Sequence, residues 1–253
     1  MIPKKIVNVA LTPCTAKKFE IRRSEMGAAG KKLEICDMRD MDQVITTREL
    51  ALWAKEEGID LSTLANSEYD RLMGEASGAG VIFGNTGGVM EAALRTSYTF
   101  ITGNQPPEDL LNLQPVRGYD GIREATLEIN GITLNVAVVH GTANAKKMIE
   151  RIKSDEKQYH FIEVMTCPGG CIGGGGQPKD IMADADETRQ SRIASLYQRD
   201  ADIQLRLSHE NREIKQLYEE FYGQPLSELA EQMLHTAYID RSNDLKQGGK
   251  NNA

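Results

Sequence analysis

Residues 165–178 read Met-Thr-Cys-Pro-Gly-Gly-Cys-Ile-Gly-Gly-Gly-Gly-Gln-Pro, and no other segment constrains the chain as much. Two thiols four residues apart sit in a loop with six glycines between Cys167 and Pro178. Glycine lets the backbone approach a bulky object and adopt positive φ. It also leaves amide N–H groups that can point at sulfur and tune a metal centre. Thiolates are the ligands of iron–sulfur clusters. A structural zinc site wants four ligands, usually as two close pairs, and no second close cysteine pair exists. A phosphate loop would end in Gly-Lys-Ser/Thr, which is missing. A plain glycine linker does not explain two cysteines behind an apolar run.

The other cysteines are Cys14 and Cys36. Cys36 lies in a featureless stretch and reads as a small buried hydrophobe. Cys14 follows a short apolar run, Lys4 to Leu11, which reads as a strand ending at Thr12-Pro13. Ligands collect at such strand ends in α/β sheets. Lys17 and Lys18 follow, and a cation there favours thiolate. Taken alone, the segment fits an exposed Lys-Lys beside a buried cysteine better than a site. A third segment, Ile82-Phe83-Gly84-Asn85-Thr86-Gly87-Gly88-Val89, reads as strand, glycine turn and helix. It suits an anion at a helix N-terminus and a tight packing turn equally well.

The rest of the chain supplies the frame. Thr46-Thr47 before Arg-Glu-Leu-Ala-Leu-Trp-Ala-Lys-Glu-Glu, with Gly58 after, predicts a capped helix. Arg22 to Asp42 reads as a loop with a short helix. The turn after Phe83 leads into a helix running to about Thr102, with Val89, Met90, Ala93, Leu94 and Ser97 on one face. Asn130-Gly131 between the apolar runs 125–129 and 132–139 predicts a hairpin. A helix over 142–154 and a strand over 160–165 follow, then helices near 187–198, 208–222 and 226–235, with Ser208 capping the second and Gly223 stopping it. Alternating strands and helices predict an α/β fold: a largely parallel sheet flanked by helices, one hairpin and a helical C-terminal cover.

Composition narrows the class. The 253 residues are 40% hydrophobic and 26% charged, with a formal charge of −7. An acidic chain lacks the cationic footprint that nucleic acid and anionic membranes require. No apolar stretch approaches the ~18 residues of a spanning helix, and the N-terminal run is too short and polar for a signal peptide. A cytoplasmic protein with reduced cysteines is expected.

Three segments together carry a resemblance: Pro-Cys-Thr-Ala-Lys-Lys-Phe-Glu (13–20), Phe-Gly-x-Thr-Gly-Gly-Val-Met-Glu-Ala-Ala-Leu-Arg (83–95) and Glu-x-Met-x-Cys-Pro-Gly-Gly-Cys-x-x-Gly-Gly-Gly-Gln-Pro (163–178). The chain resembles the C-terminal part of the catalytic, H-cluster domain of [FeFe]-hydrogenases, the iron hydrogenase large subunit. Val44 to Leu50, Val116 to Gly118, Lys157 to Phe161 and Ser208 to Asn211 match it too. The resemblance implies an iron-hydrogenase-like fold and reversible reduction of two protons to H2. It implies an H-cluster: a [4Fe–4S] cubane joined to a diiron unit with CO, cyanide and dithiolate ligands. By motif, Cys14, Cys167 and Cys171 look like three of the four cubane ligands, Cys171 being the one that bridges to the diiron unit. Lys17 resembles the lysine that bonds a cyanide. Pro13, Thr15, Phe83 and Met165 resemble lining residues around the diiron unit. Ferredoxin or another electron carrier is the implied partner.

The resemblance also departs from the family. The motif Thr-Ser-Cys-Cys-Pro, which normally precedes Pro-Cys-Thr, is absent from these residues, and with it the fourth cubane ligand and the proton-passing cysteine. So are the upstream ferredoxin-like cluster motifs. Thr12 stands where methionine is usual. Cys36 matches no family ligand. Residues 1–241 are therefore expected to be the C-terminal part of such a domain, completed by a partner chain or a preceding segment, and 242–253 a flexible polar tail. Alone, the chain is expected to be inactive. The alternatives are a non-catalytic hydrogenase-like protein of iron–sulfur assembly, a sensory relative or an inactive fragment. Thr15-Ala16-Lys17 and the Gly-Gly before Cys171 look like the true hydrogenases.

Overall fold

The computed structural model describes residues 5–70, 73–155, 157–179 and 182–243. Of the predicted tail, 244–253 lies outside the described residues. Two compact units divide the chain: Met1–Ala10, Lys18–Val44 and Tyr218–Ala253 form one, Leu11–Lys17 and Ile45–Leu217 the other. Strands β1 (Val9–Thr12) and β2 (Gln43–Thr46), which pair, run from the first into the second.

In the first unit, α2 (Ala28–Lys32) is the short helix expected between residues 22 and 42. Asp40 accepts the N–H groups of Ala28 and Ala29 at 2.9 and 2.8 Å, standing in for the side-chain cap that Gly27 cannot supply. Of the strand expected over Lys4 to Leu11, Lys4 lies outside the described residues; among the described ones the strand begins at Val9, after Asn8, whose N–H donates to Asp42 Oδ2 and whose carbonyl accepts from Asp42 and Gln43. Cys36 is exposed, correcting the expectation of a buried small hydrophobe; it sits in a polar turn beside Asp37, which has φ +61°. The helix expected to end at residue 222 breaks up. Ser208–Glu210 is a 3-10 turn, α9 (Arg212–Leu217) is capped by Asn211 rather than Ser208, and Tyr218–Tyr222 is a π-turn stopped at Gly223. Glu228–Leu234 forms α10, capped by Ser227.

The second unit is built on a three-stranded sheet in the order β3 (Ile122–Ile129), β4 (Ile132–His140), β5 (Phe161–Met165). Asn130 and Gly131, with φ +51° and +76°, make the tight turn that the Asn-Gly pair predicts, and Ile129 pairs with Ile132. β5 returns parallel to β4, its crossover carried by α7 (Thr142–Lys153). The sheet is thus mixed: the parallel character expected of it is confined to β4 and β5. β4 is central, and alternation buries both its faces. Val136 and Val138 join Met90, Leu94, Leu110, Leu113, Val116 and Ala125; Ala137 and Val139 meet Met148 of α7 on the other side.

Helices cover this sheet. α3 (Thr47–Glu56) opens with a capping box, Thr46 and Glu49 satisfying each other's backbone N–H. The apolar run 79–83, whose end at Ile82-Phe83 was expected to be a strand, instead lies in and caps the helix α4 (Gly78–Ile82), which starts at Ser77, whose hydroxyl accepts the Gly80 N–H at 3.1 Å. α5 (Gly88–Thr102) buries Glu91 and Arg95 beside Met90 and Leu94, while Val89 and Ala93 stay half-buried. Those charges belong to a closed network. Arg95 bonds Glu91 at 2.7 Å and, through both terminal nitrogens, Asp200 of α8 (Ala185–Asp202); Arg206 and Arg117 complete it, Arg117 lying 4.0 Å over the Tyr197 ring. Arg95, Glu91 and Asp200 are fully buried, so each charge depends on its partners.

Candidate metal centre

β5 delivers Met165, then Cys167, into the glycine loop, and a 3-10 turn, Cys171–Gly173, follows. The loop is held by backbone on two sides. Toward the turn between α4 and α5, the Gly169 carbonyl accepts the Thr86 N–H at 3.0 Å and the Ile172 N–H donates to Gly84 O at 3.1 Å. Toward the end of β1, the Gly176 N–H donates to Pro13 O at 2.8 Å. These approaches leave no room for side chains. A Cβ on Gly170 (φ +93°) would lie 2.6 Å from Thr86 N and 2.8 Å from Met165 Sδ, and one on Gly174 would lie 2.3 Å from Pro13 O. The glycines therefore serve close packing. The N–H groups of residues 170, 173, 174 and 176 are taken by backbone carbonyls and do not point free into a pocket, as the sequence reading had them.

This packing brings Cys14 to the Cys167–Cys171 loop across more than 150 residues of sequence. Cys14 and Cys167 are half-buried and Cys171 is exposed. The Cys171 thiol is pushed above its usual range, first by burial of the sulfur, then by the negative charge of Cys14 and Cys167; Lys17 opposes this and Glu163 adds to it. Cys14 and Cys167 thus lie near enough to act on Cys171. Among the described residues no group of three or more Cys, His, Asp and Glu is spaced to hold a single metal ion. Thiolates are the ligands that iron–sulfur cores take. The donor set and its close-packed glycine walls suit such a core in three positions.

The remaining candidates lie around these thiols. Pro13 is half-buried, its carbonyl bound to the loop; Thr15 is exposed and borders Gly175; Met165 is half-buried against Gly170. Lys17 is exposed at the first position of α1 (Lys17–Glu20), and Phe83, at the C-terminus of α4, is 47% exposed. Both therefore stand on open surface of the described chain.

Three supporting residues escaped the sequence reading. Glu163 fills the helix N-terminus that had been left open to an anion: its carboxylate accepts Gly87 N–H at 2.6 Å and Met90 N–H at 2.7 Å. Burial pushes its pKa up, against these amides and the nearby Arg123. His140 pairs with Met165 across the sheet; its Nδ1 accepts the Gly169 N–H at 3.4 Å, which leaves Nε2–H to donate to Tyr119 O at 3.0 Å. Arg123 binds the carbonyls of Thr86, Val116, Gly118 and Asp120. Glu163 and His140 act over long sequence separations, as Arg123 does toward Thr86, and only Glu163, inside the quoted Glu-x-Met-x-Cys motif, carried any signal.

Residues 1–175 match the family model of the iron only hydrogenase large subunit, C-terminal domain, and residues 186–241 that of the iron hydrogenase small subunit. The chain is 45% identical over 238 residues to iron hydrogenase 1 of Clostridium pasteurianum, covering 93% of itself and 40% of that protein. It is 45% identical over 199 residues to the periplasmic [Fe] hydrogenase large subunit of Nitratidesulfovibrio vulgaris, with 78% and 45% covered. To the protein NAR1 of Arabidopsis thaliana it is 29% identical over 239 residues, with 92% and 50% covered. A solved [FeFe]-hydrogenase, HydA1 of Chlamydomonas reinhardtii, superimposes with a TM-score of 0.73 at 39% identity, over 94% of this chain and 64% of that one. The chain spans about two fifths of the length of the first two relatives. Among the described residues no helix is long and apolar enough to cross a membrane.

Proposed function

Because the chain belongs to the family defined by the C-terminal domain of the iron only hydrogenase large subunit, we propose that it is the part of an [FeFe]-hydrogenase that holds three corners of the H-cluster. The observation that carries this is the packing of the glycine loop on the end of β1, where Gly176 N–H donates to Pro13 O at 2.8 Å and Gly174 leaves no room for a Cβ against Pro13 O, so that Cys14 meets the loop carrying Cys167 and Cys171. In this reading the three thiolates bind a [4Fe–4S] cubane, and the fourth thiolate comes from a preceding segment or a partner chain. When bound, the cluster supplies the redox chemistry that interconverts two protons and two electrons with H2.

The chain's own residues bind and shelter the cluster. Cys171 would supply a thiolate to the cluster on the side of the diiron unit. Lys17 offers an ammonium to anionic ligands there, consistent with its pull on the Cys171 thiol. Pro13, Thr15, Phe83 and Met165 border the unit, and the close-packed glycines keep water from the loop's inner side. Residues 1–241 form the domain part. A ferredoxin-type carrier delivers electrons, and the free cysteines suit a reducing cytoplasm.

A second reading rests on the relatives of cytosolic iron–sulfur assembly, 29–31% identical over more than nine tenths of the chain. It keeps the cubane and omits the diiron unit. Anaerobic reconstitution with iron and sulfide, followed by maturation with a segment carrying the missing cysteine motif, separates the two. Four irons with a reduced-cluster electron paramagnetic resonance signal, then H2 evolution and CO and cyanide infrared bands, supports the hydrogenase. A cubane without those bands supports the assembly relative. No iron bound in either form overturns both.

A further inference from the structure

Arg48, the second residue of α3, is tied four times to the far end of the glycine loop. Its backbone N–H donates to Gly176 O at 2.8 Å. Its guanidinium donates from Nε to Gln177 O at 3.1 Å, and from Nη2 to Gln177 O at 2.7 Å and Gly175 O at 2.9 Å. Three successive carbonyls thus converge on one residue. The same stretch meets the end of β1: Gly176 N–H donates to Pro13 O at 2.8 Å, and a Cβ on Gly176 would lie 2.9 Å from the Pro13 carbonyl carbon. It would also lie 2.7 Å from a methyl of Thr46, the residue that caps α3. One end of this contact leads directly to Cys14, the next residue after Pro13. The other leads back over four residues to Cys171.

We propose that Arg48 is a positioning residue: it fixes the Gly175–Gln177 carbonyls to α3 and thereby holds Cys14 and Cys171 side by side before any metal is bound. Its significance for catalysis rests on the hydrogenase reading above, while the juxtaposition it explains exists in the metal-free chain. A lone strand end and a glycine loop have little to keep them together, since glycine carries the largest backbone freedom to be lost. A planar guanidinium with a fixed fork meets several carbonyls at once, and a lysine ammonium on a flexible stem does not. Arg48 is half-buried, so its removal opens no sealed cavity.

The test uses the full metal-free chain with Cys36→Ser and Cys167→Ser, so that Cys14 and Cys171 are its only thiols. The fluorogenic bifunctional reagent dibromobimane reports their bridging rate, and the thermal unfolding midpoint is followed in parallel. Arg48→Ala is expected to slow bridging about ten-fold, the weight of one charge-assisted hydrogen bond, and Arg48→Lys to fall between. Glu49→Ala, which removes the capping box of the same helix, controls for a loss of helix stability: it is expected to lower the midpoint and leave bridging near the parent rate. Parent-like bridging in Arg48→Ala overturns the proposal, as does equal slowing in Glu49→Ala. Should Arg48→Ala not fold, parent-like bridging in Arg48→Lys overturns it in the same way. Iron uptake by the unmodified chain is measured separately, so a failure of the metal reading and a failure of the Arg48 role are distinct results.

Discussion

The Glu163 carboxylate accepts the Gly87 N–H at 2.6 Å, joining the strand that delivers Cys167 to the turn against which Gly170 packs. Helix α5 begins on glycines with no side-chain cap of its own, so a residue 76 positions away supplies it. Glu163→Ala leaves the Gly87 and Met90 amides buried and unpaired, and is expected to cost about 3 kcal/mol. Glu163→Gln, which keeps one acceptor, is expected to cost less. Urea denaturation of the metal-free chain measures both, and equal stability of the Ala variant and the parent would refute the cap.

This cap illustrates what was legible in the sequence. Local devices were: Asn130-Gly131 makes its hairpin and Thr46 with Glu49 its capping box, because the interacting groups lie within a few residues. The apolar run 79–83 was misread as leading into the glycine turn through a strand because five residues carry no period, and Ser77 decided the matter by capping a helix. Cys167 and Cys171 stand out as candidates by spacing and glycine context. Cys14 joins them only through the fold, and without the family resemblance its segment reads as an ordinary surface. Glu163, His140 and the Arg95–Asp200 pair act over 29 to 105 residues, a distance at which single-sequence pattern carries nothing.

Gly170→Ala is expected to fail twice. Its φ of +93° strains any side chain, and the new methyl would meet Thr86 N and Met165 Sδ. Strain alone costs about 1–3 kcal/mol, and relief requires the loop to move away from Thr86. Iron uptake should therefore drop sharply. Gly103→Ala, also at positive φ but with nothing within 4 Å, should cost about 1–2 kcal/mol and leave iron uptake at the parent level. Equal iron content in the two variants would show that the glycine packing has no bearing on the metal.

Asp200 is a buried carboxylate. Burial would raise its pKa, but the hydrogen bonds from Arg95 and Arg206 outweigh that and hold it below the usual range. A depressed folded-state pKa contributes stability that is present above the unfolded value and is lost as pH falls through the folded one. Asp200→Asn leaves the buried Arg95 guanidinium with Glu91 as its one remaining carboxylate and is expected to cost about 3–5 kcal/mol near neutral pH. The penalty should begin to shrink below about pH 4, where the unfolded parent takes up the proton, and go on shrinking until the folded Asp200, with its lower pKa, is protonated too. Guanidinium denaturation across the acid range checks this, and a penalty independent of pH would mean that the carboxylate's charge is not what matters.

Lys17 is exposed, yet its charge acts on the Cys171 thiol, and the two observations together predict where its loss is felt. An exposed ammonium contributes little to a water-facing site, because solvent screens it. In the hydrogenase reading proposed above, the rest of the domain would cover this surface and remove that solvent, and a cation beside anionic ligands would then be a strong, specific donor. The metal-free chain should accordingly tolerate Lys17→Ala with an unchanged unfolding midpoint. The completed, matured protein should not: it is expected to keep its four-iron signal in electron paramagnetic resonance and to lose most of the CO and cyanide infrared bands. Lys17→Arg should retain part of them, since it keeps the charge but presents a wider, planar donor. Iron content, expected to fall by the share belonging to the diiron unit, gives an independent count. Full infrared bands at unshifted positions in the Ala variant would show that Lys17 serves only the surface of α1.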